Sequence, residues 1–118
     1  MKKVLFSLLG LVASSNALAS DSIPAKYHGC YQDIDDELVV AKISANKIVA
    51  TASVIEFTYT VEKASSNNKG LVLSTHYNSI DDVGKKGKGK ERLVLRELGK
   101  EKVALSNWGN FKKVACHF

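Results

Sequence analysis

The residues with the most evident chemistry form a segment in which lysine and glycine alternate. Residues 83–90 read VGKKGKGK and contain Lys85, Lys86, Lys88 and Lys90. A phosphate-binding loop would end in Gly-Lys-Ser/Thr and lead into a helix. Here Lys88 is followed by Gly89 and then by a strand pattern, so nucleotide binding is rejected. Two interpretations remain: a solvated, mobile hairpin tip, or a basic finger that enters an acidic groove on a protein partner and accelerates association.

Carboxylates and histidines offer no second site. An acidic cluster precedes a predicted strand and consists of Asp33, Asp35, Asp36 and Glu37. It lacks the central Gly and the distant Glu of a calcium-binding loop. A carboxylate pair could serve a hydrolase, but a solvated turn is the favoured interpretation. The histidines show no HExxH spacing and no third ligand, and no G-x-S-x-G elbow occurs. The sequence therefore predicts no enzyme, no metal site and no cofactor.

Trp108 is the one tryptophan of the chain and lies in the segment Asn107-Trp108-Gly109-Asn110, between two predicted strands. A loop tryptophan makes a good binding anchor, because it buries a large area at low entropy cost. The same side chain can also close the end of a hydrophobic core. Both interpretations stay open on the sequence alone.

The first nineteen residues have the pattern of a secretory signal peptide. Lys2 and Lys3 precede an apolar run of ten residues, 4–13, and Ala17-Leu18-Ala19 gives the small-x-small cleavage pattern. The run is shorter than the roughly 20 residues that span a bilayer. We expect cleavage after Ala19, which leaves one domain of residues 20–118 in the periplasm or secreted, with no transmembrane segment; an uncleaved anchor is the alternative.

Composition narrows the class of partner. The chain has 118 residues, of which 45% are hydrophobic and 25% charged, as in ordinary globular domains. Two of its 17 Lys and Arg lie in the predicted signal, so 15 remain against 12 Asp and Glu, a net charge of +3. That balance is not typical of a nucleic-acid-binding domain, and none is expected as a partner.

Cys30 and Cys116 are the only cysteines, and export would place them in an oxidising compartment. One intramolecular pairing exists, and it closes a loop of 87 residues, 30–116. Chain-entropy arguments give such a bridge about 4.5 kcal/mol. A metal site or a nucleophilic thiol is the alternative use of these residues.

Period-two alternation runs through the domain and predicts an all-β fold. Residues 54–64 alternate apolar with polar positions, and residues 90–98 do so again. Residues 47–64 lack a Gly or Pro break, so they form either two strands or one long strand with a bulge. Residues 65–70 and 80–89 are predicted loops. We expect seven or eight antiparallel strands in a meander.

The predicted disulfide would make the first and last strands neighbours. A meander whose ends meet is a closed barrel or a flattened sandwich. With so few residues, we expect side chains to fill the interior and to leave little room for a ligand.

The layout resembles that of the periplasmic inhibitors of C-type lysozyme. The residues that carry the resemblance are Tyr27, Cys30 and Cys116 in a small exported all-β chain. The resemblance implies a small antiparallel barrel tied by one disulfide. The Ser-Gly-x-x-Tyr and aromatic-Lys-Gly segments of that family are missing, so no inhibitory residue is carried over. The layout is also similar to exported immunity proteins, and residues 23–29 resemble the opening of lipocalin-like domains.

These observations favour a non-enzymatic protein that binds and neutralises a peptidoglycan hydrolase or toxin effector, as an inhibitor or immunity protein. The predicted contact residues are Lys85, Lys86, Lys88, Lys90 and Trp108. One alternative is a lipocalin-like carrier of a small ligand, which requires an unfilled interior. Another is an envelope protein that binds anionic lipid or polysaccharide through the same lysines.

Overall fold

The computed structural model describes residues 19–20 and 22–117, and strands make up most of them. The strands are β1 (Ala19–Ser20), β2 (Gly29–Asp33), β3 (Val39–Ile43), β4 (Lys47–Ala52), β5 (Ile55–Asn67), β6 (Gly70–Asp81), β7 (Lys86–Gly99), β8 (Lys102–Leu105) and β9 (Gly109–Val114). Within these residues, a 3₁₀ turn covers Ala25–Tyr27. Residues 1–18, which hold nearly all of the predicted signal peptide, lie outside the described residues.

Eight of these strands close into an antiparallel barrel. Strands β2 to β9 each pair with the next along the chain, and β9 returns to pair with β2. In that closing ladder Phe111 lies opposite Asp33, and Val114 lies opposite Cys30. Strand β1 adds two residues beside β5. The predicted all-β meander with neighbouring first and last strands is therefore confirmed, and its form is the barrel.

The predicted disulfide is also confirmed. The sulfurs of Cys30 and Cys116 are bonded, with 5.2 Å between the two Cα atoms. Cys30 is fully buried on β2, whereas Cys116 is exposed beyond the end of β9. The bridge thus fastens the C-terminal segment to the strand on which the barrel closes.

Alternation places large apolar side chains inside the barrel. Leu93 and Leu95 on β7 are fully buried, and Tyr31 on β2 and Phe111 on β9 belong to the same buried core. The hydrophobic effect favours each such burial by about 1.5–3 kcal/mol per side chain. The centre of the barrel is consequently filled by side chains, as expected for a barrel of eight strands.

One end of the barrel, the plugged end, is closed by the segment before β2. Ile23 and Tyr27 are buried in the core. The Ile23 N–H donates to the Ala45 carbonyl, and the Tyr31 hydroxyl donates to the Tyr27 carbonyl. The opposite end, here named the loop end, carries the four connections at residues 34–38, 53–54, 82–85 and 106–108.

The structure resolves the ambiguity at residues 47–64 in favour of two strands. Ser53 takes a left-handed φ of 50° in the turn between β4 and β5. A bulge does occur, but it lies inside β5, where the register with β6 shifts between Val61 and Lys63. The extra residue bends the strand and increases its twist, which helps a sheet to close.

The predicted loop over residues 80–89 is wrong outside residues 82–85. Strand β6 continues to Asp81 and β7 begins at Lys86, so only residues 82–85 connect them. The Asp81 carboxylate accepts hydrogen bonds from the N–H groups of Val83 and Lys85, and Gly84 supplies a φ of 82°. This tight turn lets the Lys-Gly segment pair with β6 as a strand, despite the low strand propensity of glycine.

Candidate functional site

Three of the four predicted lysines form a straight row on the outer face of the barrel. Lys86, Lys88 and Lys90 occupy alternate positions of β7 and are exposed. They lie opposite Ile80, Asn78 and His76 of β6, in that order. We call these three lysines the lysine row. Lys85 lies beside the row in the 82–85 turn, so the structure brings all four predicted lysines together.

The row runs along a strand that has a neighbour on one side only. Strand β8 pairs with β7 from Leu95 to Gly99, and two further hydrogen bonds join Ser106 to Val94. Among the described residues no strand pairs with residues 86–92 on that side. We call this side of residues 86–92 the free edge. The barrel wall is therefore interrupted at the loop end, between β7 and the 106–108 turn.

An aromatic cluster lies on the inner face beside this interruption. It consists of Phe57, Tyr59, Tyr77 and Trp108. The Phe57 ring stacks on Tyr59 at 5.8 Å, and the Trp108 ring meets it edge-on at 5.6 Å. The Trp108 indole N–H donates to the Tyr59 hydroxyl at 2.9 Å. Trp108 is partly buried against the core, so it closes the loop end of the barrel. An additional role as a binding anchor stays a prediction.

Tyr59 has a perturbed ionisation because its phenol lies inside the protein. The residue is 2% exposed. Burial disfavours the phenolate and raises the pKa of Tyr59 to about 12, with the negative charge of Glu91 acting in the same direction. The hydrogen bond from Trp108 opposes the rise in pKa. Tyr59 is thus a neutral hydrogen-bonding group of the core.

A small cleft opens between the aromatic cluster and the 106–108 turn. Its volume is about 300 Å³, and it is lined by Phe57, Tyr59, Glu91, Asn107 and Trp108. The Asn107 side-chain amide donates to the Glu91 carboxylate. Asn107 adopts a φ of 70°, a left-handed conformation that asparagine tolerates better than most residues. A polar pair therefore faces the aromatic rings across the cleft.

Exposed apolar side chains collect at the loop end. Of the six large hydrophobic residues that are exposed in the described part of the chain, five lie there. We call these five the apolar rim: Ile34, Leu38, Val54, Ile80 and Val83. Leu38 and Val54 belong to adjacent connections, since the Ser53 N–H donates to the Leu38 carbonyl. The rim is not evident from the sequence, because it depends on which loops share one end of the barrel.

The acidic cluster before β3 shapes a turn. The Asp33 carboxylate accepts hydrogen bonds from the N–H groups of Asp35 and Asp36. The Asp36 carboxylate accepts one from the Leu38 N–H. These contacts are typical of Asp in turns, and they hold Leu38 in its exposed position. The interpretation of this cluster as a solvated turn is confirmed.

Two of the three histidines, His28 and His76, contact protein groups. The Nε2 of His28 lies 2.7 Å from the Ile23 carbonyl oxygen, and His76 lies 3.1 Å from the Glu62 carboxylate. No group of three or more potential metal ligands occurs among residues 22–117. Within the same part of the chain, no helix is long and apolar enough to cross a membrane.

Comparison with known proteins gives no relative from which to transfer a role. No protein-family model matches the chain. Searches of curated proteins and of solved structures found no match either. The function must therefore be argued from the lysine row, the free edge, the aromatic cluster and the apolar rim.

Proposed function

We propose that this protein is an exported, non-enzymatic inhibitor or immunity protein that binds a cell-wall-degrading enzyme in the periplasm. The observation that carries the proposal is the apolar rim. Its side chains are 42% to 83% exposed, and they gather at one end of the barrel. Scattered apolar residues are ordinary on a protein surface, but a gathered set with a charged border is typical of a protein-binding site.

The lysine row supplies that charged border and indicates the chemistry of the partner. Glycoside hydrolases hold a pair of carboxylates in their substrate cleft, so the field there is negative. A cationic row beside an apolar rim complements such a cleft and accelerates the encounter. Because the lysines project from a paired strand and not from a mobile loop, little backbone entropy is lost when they bind.

The predicted compartment agrees with this partner. The Cys30–Cys116 bridge is of the kind that persists in oxidising compartments, and the periplasm is one of them. The enzymes that cut peptidoglycan act in the same space. The carrier alternative receives less support, because fully buried side chains such as Ile48, Leu73 and Leu93 occupy the centre of the barrel.

The test is affinity capture followed by an inhibition assay. Tagged protein, residues 20–118, is mixed with periplasmic extract and with secretions of competing bacteria, and bound proteins are identified by mass spectrometry. We expect a stoichiometric cell-wall hydrolase whose digestion of purified peptidoglycan slows in proportion to added protein. Retention of anionic lipid or polysaccharide without any hydrolase would contradict the proposal and favour the envelope alternative.

Two variants locate the contact. Leu38→Ser with Val54→Ser removes apolar rim area, and we expect at least a tenfold loss of affinity for the captured hydrolase. Its matched control is Leu98→Ser, because Leu98 is 40% exposed and lies at the opposite end of the barrel. Equal losses in the two proteins would exclude the loop end as the binding surface.

The lysines are tested by association kinetics. Replacement of Lys85, Lys86, Lys88 and Lys90 by Ser is expected to slow association and to flatten its salt dependence. A control with the same kind of change elsewhere replaces Lys42, Lys102 and Lys112, which are exposed on β3, β8 and β9. Unchanged association after the first set of replacements would remove the lysine row from the contact.

A further inference from the structure

The free edge of β7 presents unpaired backbone groups in a defined pattern. The Val94 N–H donates to the Ser106 hydroxyl, and the Val94 carbonyl accepts from the Ser106 N–H. Val94 therefore directs its backbone polar groups toward β8. In an antiparallel ladder successive residues direct these groups to opposite sides. Strand β7 pairs with β6 without a register shift from Lys86 to Leu95. Hence the backbone N–H and C=O groups that point toward the free edge belong to Lys86, Lys88, Lys90 and Arg92.

The two faces of this edge differ in chemistry. The outer face carries the lysine row and Arg92, all exposed. The inner face carries Gly87 and Gly89, which have no side chains to project from the sheet, and Glu91, whose carboxylate accepts a hydrogen bond from the Asn107 side-chain amide. A Cβ placed on Gly89 would lie 3.0 Å from the Tyr77 ring, so that ring lies directly over the glycine. An incoming strand would meet cations on one side and half-buried aromatic rings on the other.

We propose that an extended segment of the partner protein joins the barrel as an added strand along the free edge. The segment carries acidic residues at alternate positions, opposite the lysine row and Arg92. Apolar or aromatic residues stand between them and face Tyr77 and Phe57. This inference rests on the proposed function, and it specifies how the partner binds: backbone hydrogen bonds give affinity, and the alternating side chains give specificity.

Charge argues against a second copy of this chain as the added strand. If two copies paired along residues 86–92, lysine would stand next to lysine across the new ladder. Like charges directly opposite each other destabilise a strand pair. Lysines on an exposed edge strand are a common means by which proteins prevent pairing with their own copies. The same lysines leave the edge open to an acidic strand.

The length of the edge sets the size of the added segment. Residues 86–92 rise about 3.4 Å each in an antiparallel sheet and so cover about 24 Å. A probe peptide of about seven residues is matched to that length. It has Glu at the odd positions and Tyr at the even positions, with both termini blocked. A control peptide has the same composition, with all Glu residues before all Tyr residues.

Hydrogen exchange of the full-length domain with the probe peptide gives the decisive pattern. We expect new protection at the N–H groups of Lys86, Lys88, Lys90 and Arg92, and none at Gly87 and Gly89, which already pair with β6. The block peptide is expected to bind at least tenfold more weakly. Methylation of the probe's backbone nitrogens at the positions facing the edge is expected to abolish the alternating protection. Absence of this pattern with the probe peptide would overturn the inference.

A pair of variants separates strand addition from simple charge attraction. Lys88→Ser removes one charge and keeps the N–H, whereas Lys88→Pro removes both. Proline is tolerated on an edge strand where the N–H faces outward. We expect Lys88→Pro to weaken binding of the probe peptide at least tenfold beyond Lys88→Ser, with thermal unfolding as the check on folding. If Lys88→Pro does not fold, the exchange pattern of the unaltered protein decides.

Failure of this inference differs from failure of the proposed function. Equal weakening by Lys88→Pro and Lys88→Ser, with binding of the methylated probe retained, would overturn strand addition and leave the lysine row as a charged contact. Capture of no hydrolase would overturn the proposed function, whatever the probe peptide does.

Discussion

Removal of the disulfide is the sharpest test of how the barrel is held closed. Cys116 is exposed and Cys30 is fully buried, so the single substitution Cys116→Ala deletes the cross-link with little loss of packing. The double substitution Cys30→Ala with Cys116→Ala adds a cavity on the β2 side. The single variant therefore measures the cross-link, and the difference between the two measures the packing of the buried sulfur.

The magnitude follows from the length of chain that the bridge encloses. The loop runs from Cys30 to Cys116, a separation of 86 residues. Restricting the unfolded chain in this way stabilises the fold by about 4.5 kcal/mol at 25 °C. Domains of this size have a total free energy of unfolding of about 5–15 kcal/mol. The ladder between β2 and β9 is retained, so we expect Cys116→Ala to fold with much of its stability lost.

The assay is equilibrium unfolding in urea, with thermal unfolding beside it. We expect the midpoint to fall and the slope to rise, because an unfolded chain without the cross-link exposes more surface. At about 4–8 °C for each kcal/mol, the melting temperature falls by roughly 20–35 °C. The unaltered protein with its disulfide reduced serves as the control. A loss below about 1 kcal/mol with an unchanged slope would refute the chain-entropy reasoning.

Two further predictions concern the aromatic cluster. The pKa of Tyr59 is raised to about 12 in the native state, so its neutral form is favoured by folding. The resulting stabilisation is fully present below the unfolded pKa of about 10 and is lost as pH rises through 12. Burial raises the pKa of Tyr31 as well, so the late ionisation in phenolate absorbance should decrease by one tyrosine in Tyr59→Phe; complete ionisation of the native protein by about pH 11 would contradict the prediction. Separately, Gly89→Ala places a methyl group 3.0 Å from Tyr77 and is expected to cost about 1–3 kcal/mol. Urea unfolding in a double-mutant cycle with Tyr77→Ala should show coupling, and additive losses would exclude that contact.

The cysteines and the alternation of apolar residues were enough to predict the fold. Cys30 and Cys116 lie near the two ends of the domain. A bond between them predicts that the first and last strands are neighbours, and this prediction needs no knowledge of strand register. Alternation over residues 90–98 predicted that Leu93 and Leu95 face inward, and both are fully buried. These features are local in sequence, or they follow from one covalent bond. For that reason they can be predicted from the sequence.

The site was predicted less completely, because the composition of the Lys-Gly segment is typical of a loop and not of a strand. Glycine lowers strand propensity, so the Lys-Gly segment looks like a loop. Tertiary contacts override that tendency: β6 pairs with the whole segment, Asp81 fixes the turn, and the Tyr77 ring covers Gly89. The apolar rim depends on which loops share one end of the barrel, and the free edge depends on where β8 stops. Neither is encoded in a local pattern.

The alternation of lysine and glycine acquires a consistent meaning once it is placed on the free edge. An unpaired edge strand invites association with other chains, and proteins usually shorten, twist or cover such strands. Here the strand is long and pairs with β6 without a register shift. Only the lysines on its outer face oppose association with other copies. On its inner face Gly87 and Gly89 have no side chains, so the neighbouring Tyr77 ring stays uncovered. A bulky residue at these positions would cover that ring. Protection against self-pairing alone would need the lysines but not the glycines. Lysine and glycine together suit an edge that does not pair with a second copy of the chain but binds a strand of alternating acidic and aromatic residues.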